Sequence, residues 1–309
     1  MSYRQIIKTA WQFVSHQKGL VWFGVVPSFF STLVGSCFLV YQFLAFRASP
    51  FFGNQSFDFD QIINPLIQIV EKHPSSILLF LVIALLIGLG FFILPPLCEG
   101  GIIGLTAATY REQQVSPKDG IAIGTHYFLR LFEYRLFTST FGLVEFFLIF
   151  SIGLRNFGLT TWLIIIFSIL FFVAFLLSFL LIYTQNFIVL KNCSLIQAFT
   201  ESAKLVLRNF EKTFLIWLLI LLISVRVIIN IFLVFLIPAF VAFVANFLIG
   251  TFAFGLGIAI AALVGFLVIA FAAYLAGILH VFTTATWTLT FLSIDHNRPQ
   301  KILEKIAAN

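Results

Sequence analysis

The sequence predicts an all-α protein that crosses a membrane several times, and three observations support this fold class. Hydrophobic residues make up 61% of the 309 residues and charged residues only 10%, whereas soluble domains have about 25% charged residues. Several charge-free runs exceed the roughly 20 residues that a helix needs to cross a bilayer. The alternation of apolar and polar residues that is typical of a membrane β-barrel does not occur in the sequence.

The apolar runs predict six transmembrane helices in three hairpins, within one integral membrane domain covering residues 1–309. The predicted spans are residues 19–46, 75–97, 136–154, 160–190, 213–237 and 257–292. The second span has two possible ends, because Pro95 and Pro96 must kink or end a helix although apolar sequence continues to residue 110. Residues 47–73 are predicted to be a polar outer loop. Residues 238–256 are predicted to be an outer connection or a re-entrant segment.

A basic amphipathic helix precedes each predicted hairpin, over residues 2–18, 117–135 and 194–212. Such helices lie in the membrane interface. Their predicted apolar faces are Ile6, Ile7, Ala10, Trp11 and Val14; Ile121, Gly124, Phe128, Leu131 and Phe132; and Ile196, Phe199, Ala203, Val206 and Phe210. We expect their basic side chains to bind anionic lipid headgroups; these are Arg4, Lys8, Lys18, Arg130, Arg135, Lys204, Arg208 and Lys212.

The distribution of basic residues predicts the orientation. Segments on one side of the predicted spans carry fourteen Lys and Arg residues, those on the other side carry three, and Arg226 lies within a span. Because basic residues accumulate on the cytoplasmic side, both termini are predicted to be cytoplasmic. An even number of spans agrees with this distribution.

Charged residues inside the apolar runs are the strongest candidates for a site. Glu145 lies ten residues after Arg135, roughly 15 Å into the third span, and Arg226 lies roughly 21 Å into the fifth span. A lone charge at the bilayer centre costs at least about 2.5 kcal/mol, so we predict that Arg226 pairs with Glu145, assisted by Asn230. Glu99 is a second candidate partner, roughly 18 Å deep if the second span continues to residue 110.

Known catalytic motifs are not found in the sequence. There is no P-loop, no G-x-S-x-G and no H-E-x-x-H, so we expect no enzymatic activity, no cofactor and no metal. The net charge of +6 comes from residues beside apolar runs, which argues against a nucleic-acid partner. His280 lies in the sixth span among threonines, and we expect it to pack between helices or to bond the backbone.

Three segments resemble a group of bacterial membrane proteins. TAWQFVSHQKGLVWFGVV, EGGIIGLTAATYREQQVSPKDGIAIGTHYFLRLF and NFIVLKNCSLIQAFTESAKLVLRNF are similar to the YciC-like and glycerophosphodiester phosphodiesterase membrane-domain group. The resemblance implies a six-span protein of the bacterial inner membrane and carries over no catalytic residue. The segment HQKGLVWFGVVPSFF also resembles the CysZ-like sulfate permeases, which would imply anion passage.

Two functions are compatible with these observations. The first is a non-enzymatic membrane protein that organises the bilayer, through anionic lipids, or holds a protein partner of unknown identity. The alternative is a transporter or channel for a small ion or polar solute, which would use Glu145, Arg226, Asn230 and Glu99. A lipid-modifying enzyme ranks third, since no acid, base or nucleophile set is recognisable.

Overall fold

The computed structural model describes residues 3–47, 74–113, 115–139, 146, 149–154, 158, 160–227 and 254–295. These described residues are helical apart from short turns, with no strand among them. The helices are α1 (Tyr3–His16), α2 (Lys18–Arg47), α3 (Pro74–Tyr110), α4 (Pro117–Ser139), α5 (Thr161–Leu180), α6 (Thr184–Lys191), α7 (Leu195–Arg208) and α8 (Phe254–Ile294). Residues 149–154 and 210–227 are also helical.

Four helical stretches within the described residues are long and apolar enough to cross a membrane: Gly19–Phe38, Leu81–Tyr110, Thr161–Lys191 and Gly265–Ile294. The prediction of an all-α chain with several membrane-capable helices is therefore confirmed. Several predicted segments lie in part outside the described residues: residues 140–145, 147 and 148 of the third span, the end of the fifth span, residues 48–73 of the loop and residues 238–253 of the connection. Arg47, predicted to begin the loop, ends α2, and residues 254–256, predicted to end the connection, belong to α8.

Helix α3 passes through Pro95 and Pro96 without a break and ends at Tyr110. The sequence left two possible ends for the second predicted span, the two prolines or residue 110. In the structure the helix continues to residue 110. The end is capped by Glu112 in the left-handed conformation (φ 59°), and the N–H of Gln113 donates to the carbonyl of Ala108 at 3.1 Å. This arrangement satisfies a terminal carbonyl in the manner of a Schellman cap.

The long helices α3 and α8 each have an exposed first part and a mostly buried second part. Large apolar side chains are exposed from Leu78 to Ile93 on α3, whereas nearly every residue from Pro95 to Ala108 is buried. The same change occurs along α8 after Tyr274. We refer to residues 95–110 and 275–294, together with α1, α4, α6 and α7, as the helical base. Most residues of the two hydrophobic cores lie in this base.

Each of the three amphipathic helices buries a stripe of residues spaced four apart: Ile6, Ala10 and Val14 on α1; Ile123, Tyr127 and Leu131 on α4; and Ala198, Ser202 and Val206 on α7. This spacing brings side chains onto one helix face. The predicted apolar faces of α4 and α7 include exposed residues, since Ile121 is 50% exposed and Ile196 is 77% exposed. The protein-facing side is instead the one that carries small residues, which let helices approach closely.

The predicted fourth span is two helices, α5 and α6, separated by a turn at residues 181–183. Ser202 of α7 bonds to both sides of this turn: its hydroxyl donates to the carbonyl of Leu180 at 2.8 Å, and it accepts from the N–H of Tyr183 at 3.2 Å. Because buried backbone groups need hydrogen-bond partners, Ser202 compensates for the broken helix.

At its other end, α6 is tied to α8. The Nζ atom of Lys191 lies 2.8 Å from Oδ2 of Asp295 and within 5.8 Å of the ring centroids of Phe187 and Phe291. This ion pair and the cation–π contacts join the two helix ends.

Candidate functional site

Glu99 is a buried carboxylate in the helical base, on the second half of α3. The crossing of α3 and α4 places it there. A Cβ atom added at Gly124 of α4 would overlap the carbonyl oxygen of Leu97, and one added at Gly101 of α3 would lie 2.9 Å from the carbonyl oxygen of Gly120. Glycines at these positions allow the two backbones to touch, which brings the side chains of α4 close to Glu99.

Three side chains from three other helices surround the Glu99 carboxylate. Gln185 of α6 donates from Nε2 to Oε2 at 2.6 Å. Arg135 of α4 has Nη1 at 3.7 Å from Oε1, and His280 of α8 has Nε2 at 4.0 Å from the same oxygen. We refer to Glu99, Arg135, Gln185 and His280 as the Glu99 cluster. It joins α3, α4, α6 and α8 at one point.

The charges in the Glu99 cluster are balanced. A buried carboxylate without a partner is costly, and here Arg135 supplies one positive charge while Gln185 supplies a hydrogen bond. The guanidinium of Arg135 also lies 5.9 Å from the ring centroid of Phe91, a cation–π distance. Arg135 therefore connects the buried carboxylate with the zone where α3 begins to expose its apolar side chains.

Tyr134 lies beside the cluster and faces the turn between α5 and α6. Burial, and then the nearby negative charge of Glu99, raises the pKa of Tyr134 well above its usual range. The phenol therefore stays protonated and donates to the carbonyl of Leu181 at 3.3 Å. This hydrogen bond gives the broken backbone between α5 and α6 a second side-chain partner.

The cluster can bind or release a proton, since a carboxylate and an imidazole share it. It also holds four helix segments in one arrangement. Among the described residues, no group of three or more His, Cys, Asp and Glu side chains is placed to hold a metal ion.

Of the predicted intramembrane polar residues, Glu145 and Asn230 lie outside the described part of the chain. Arg226 is an exposed residue of the helical segment 210–227. Glu99 is the predicted residue around which the structure gathers polar partners. It is six residues, or about 9 Å, beyond Ile93, where the run of exposed large apolar residues that begins at Leu78 ends.

The predicted headgroup-binding residues fall into two groups. Arg4, Lys8, Lys204, Arg208 and Lys212 are exposed, and Lys204 pairs with Glu201 at 2.9 Å. The side chain of Lys18 is not among those that the structure describes.

Arg130 and Arg135 contact protein groups instead. Arg130 donates from Nη1 to the backbone carbonyl of Asn192 at 3.2 Å and to its side-chain oxygen at 2.5 Å. Asn192 is the left-handed residue that ends α6 (φ 56°), so Arg130 caps that helix.

Sequence reasoning missed Gln185 and the roles of Arg135 and His280. A signal existed for Gln185, because it is a polar residue inside a long apolar run, and such residues bridge membrane helices. His280 was noticed, but its proximity to Glu99 depends on the packing of α8 against α3. No local pattern encodes that contact.

Comparisons of the chain with protein-family models, with curated proteins and with solved structures gave no match.

Proposed function

We propose that this chain is a non-enzymatic integral membrane protein whose helical base binds anionic lipid headgroups and so organises the membrane or holds a partner against it. The observation that carries this proposal is that α7 has two apolar sides, one buried in the protein and one exposed. One face packs into the protein through Ala198, Ser202 and Val206. A second face leaves Ile196 and Leu207 mostly exposed, with exposed fractions of 77% and 67%.

Basic side chains border the exposed apolar face of α7. Lys204 and Arg208 are exposed on the same helix, and Lys212 is exposed one turn after it. A helix with an exposed apolar stripe flanked by basic residues fits the boundary between lipid tails and headgroups. The first helix repeats the pattern, since Arg4 and Lys8 are exposed beside Trp11, and tryptophan is enriched at membrane interfaces.

The finer topology is part of this proposal. Six spans in three hairpins, each preceded by an interfacial helix, would place α1, α4 and α7 on the cytoplasmic face together with both termini. Fourteen basic residues against three support that orientation. The resemblance to the YciC-like group supports a bacterial inner membrane as the location.

Lipid enrichment in nanodiscs tests headgroup binding. We expect the triple substitution Lys204→Gln, Arg208→Gln, Lys212→Gln to reduce the enrichment of phosphatidylglycerol over phosphatidylcholine around the protein at least tenfold. The reason is that each basic residue near an anionic surface contributes about 1 kcal/mol. Enrichment is measured by mass spectrometry of the lipids that remain bound.

A charge-matched control is available on the predicted outer side. The triple substitution Arg47→Gln, Lys72→Gln, Arg155→Gln removes the same charge and should leave the enrichment on the cytoplasmic leaflet unchanged. If the α7 triple variant keeps the wild-type enrichment, headgroup binding by this face is wrong.

A transporter or channel for a small ion is the second candidate function, and the Glu99 cluster is the observation that favours it. Buried ionisable residues in membrane proteins often mark ion or proton paths. Ion flux into proteoliposomes, compared between the wild type and a folded Glu99→Gln variant, tests this candidate. Equal fluxes would remove it.

A further inference from the structure

We propose that Glu99 and His280 form a proton-binding site, in which the proton enters through the imidazole and is shared with the buried carboxylate. The proposal names the proton as the ligand of the site on which the transport candidate rests. It does not depend on headgroup binding, and it concerns equilibrium proton binding, which can hold even if no ion crosses the membrane.

The two oxygens of the Glu99 carboxylate have different surroundings. Oε2 accepts a short hydrogen bond of 2.6 Å from Gln185. Oε1 faces Nη1 of Arg135 at 3.7 Å and Nε2 of His280 at 4.0 Å. Both distances exceed the roughly 3.2 Å limit of a good N–H···O hydrogen bond, so Oε1 has capacity for a further hydrogen bond and lies within reach of the imidazole.

The exposed fractions of the two side chains indicate which of them a proton reaches first. The side chain of His280 is 34% exposed, whereas that of Glu99 is 9% exposed. Of the two groups, the imidazole is therefore the more accessible one through which a proton can enter. A histidine is suited to this role because the Nε2 atom of a neutral imidazole can accept a proton and then donate it in a hydrogen bond.

The binding step involves one proton and no other reactant. With a neutral imidazole, the charges of Glu99 and Arg135 cancel, and the cluster has no net charge. One proton taken from water adds to Nε2 of His280, whose new N–H then donates to Oε1 of Glu99. Alternatively, the proton resides on Oε1 and is donated to Nε2. Both forms contain the same atoms and carry one positive charge.

The groups that face this site come from every helix packed around it. Cys98 and Glu99 come from α3, Tyr134 and Arg135 from α4, the neutral Gln185 from α6, and His280 from α8. Helix α2, which also packs on α8, has no charged residue from Gly19 to Phe46. Helix α1 contacts α8 through Trp11 and Phe282, and its basic side chains Arg4, Lys8 and His16 are exposed. The helical segment 210–227 shares a core cluster with α8, and its charged side chains Glu211, Lys212 and Arg226 are also exposed.

Proton binding has a structural consequence. The attraction between a charged imidazole and the carboxylate favours a distance shorter than the present 4.0 Å, which would draw α8 toward α3. His280 is three residues after Gly277, where the backbones of α8 and α2 are in contact. Protonation therefore acts one helical turn from a close backbone contact of α8.

The test is a histidine titration by nuclear magnetic resonance in nanodiscs. The signal of His280 is assigned through a His280→Gln variant, and the exposed His126 serves as an internal reference. We expect Glu99→Gln to move the titration midpoint of His280 down by at least one pH unit, a tenfold loss of proton affinity. Glu133→Gln, which removes an exposed carboxylate from α4, should leave that midpoint unchanged. A midpoint unaffected by Glu99→Gln overturns the proposal.

A second measurement uses the wild type, in case Glu99→Gln does not fold. Infrared spectra of protein with ¹³C-labelled glutamate carboxyl groups are recorded across the same pH range. A carboxyl band that is lost in the His280→Gln variant should change with the same midpoint as the His280 signal. Independent midpoints would overturn the shared site. Shared midpoints without ion flux would remove only the transport candidate.

Discussion

Gly277 is the position where one added methyl group should most clearly weaken the packing of α8 against α2. A Cβ atom at Gly277 would lie 2.6 Å from both the backbone nitrogen and Cα of Val25, and 2.8 Å from the carbonyl carbon of Gly24. These are backbone atoms, which cannot rotate away as a side chain can. The two helices would have to separate by at least 0.4 Å to restore a 3.0 Å contact.

Gly265 provides a matched control in the same helix. A Cβ atom there has no atom within 4 Å. Both substitutions to alanine gain about the same helix propensity, up to about 1 kcal/mol. The difference in stability between the two variants therefore reports the packing where α2 and α8 cross. Overpacking typically costs about 1–3 kcal/mol, and separation of the helices weakens dispersion contacts along the whole crossing. We expect Gly277→Ala to be about 2 kcal/mol less stable than Gly265→Ala.

Reversible unfolding in mixed detergent micelles measures this difference, with helicity and tryptophan fluorescence as two separate signals. About 2 kcal/mol corresponds to a roughly thirtyfold change in the unfolding equilibrium. Equal stability of Gly277→Ala and Gly265→Ala would refute the close crossing of α2 and α8.

Two further predictions concern the stability of the helical base and the side of the membrane on which it lies. Ser202→Ala should lower the free energy of unfolding by about 2 kcal/mol, because it leaves the carbonyl of Leu180 and the N–H of Tyr183 buried without partners. Thr200→Ala, on the exposed side of α7, should change it little; similar losses in both variants would show that Ser202 does not bridge the turn. A membrane-impermeant maleimide should label Cys193 in inverted membrane vesicles and not in right-side-out ones, if α6 and α7 are cytoplasmic. Burial raises the pKa of the Cys193 thiol, and since the thiolate is the reactive form, labelling should be slow at neutral pH and accelerate as the pH rises. Labelling from the outer side would contradict the proposed orientation.

Helix content and the existence of membrane-capable helices could be predicted from the sequence because both depend on local composition. A charge-free run such as residues 19–46 has one stable form in a bilayer, since its backbone must satisfy its own hydrogen bonds. The amphipathic helices could also be predicted from local sequence, because the spacing of apolar residues within one segment defines them. The side of each helix that packs against protein was not predicted, because apolar residues such as Ile121 and Ile196 can face either lipid or protein.

The candidate site was predicted only in part. Glu99 could be selected from the sequence, since an ionisable residue in an apolar segment needs a partner. Its contacts could not, because Arg135, Gln185 and His280 belong to three other helices. Arg226 was emphasised because of its position within one predicted span. Counting residues along a span gives the depth of a side chain in the membrane, but it does not show which residues of other helices lie beside it.

By itself, the sequence determined that this chain is all-α, that it has several long apolar helices, and which of its helices are amphipathic, because hydrophobic periodicity is a property of neighbouring residues. Only the tertiary structure decided that α3 continues through two prolines, that α5 and α6 are separate helices bonded through Ser202, and that Glu99 meets His280. These outcomes depend on close contacts between glycine-containing helix faces and on partners distant in the chain. No local pattern contains that information.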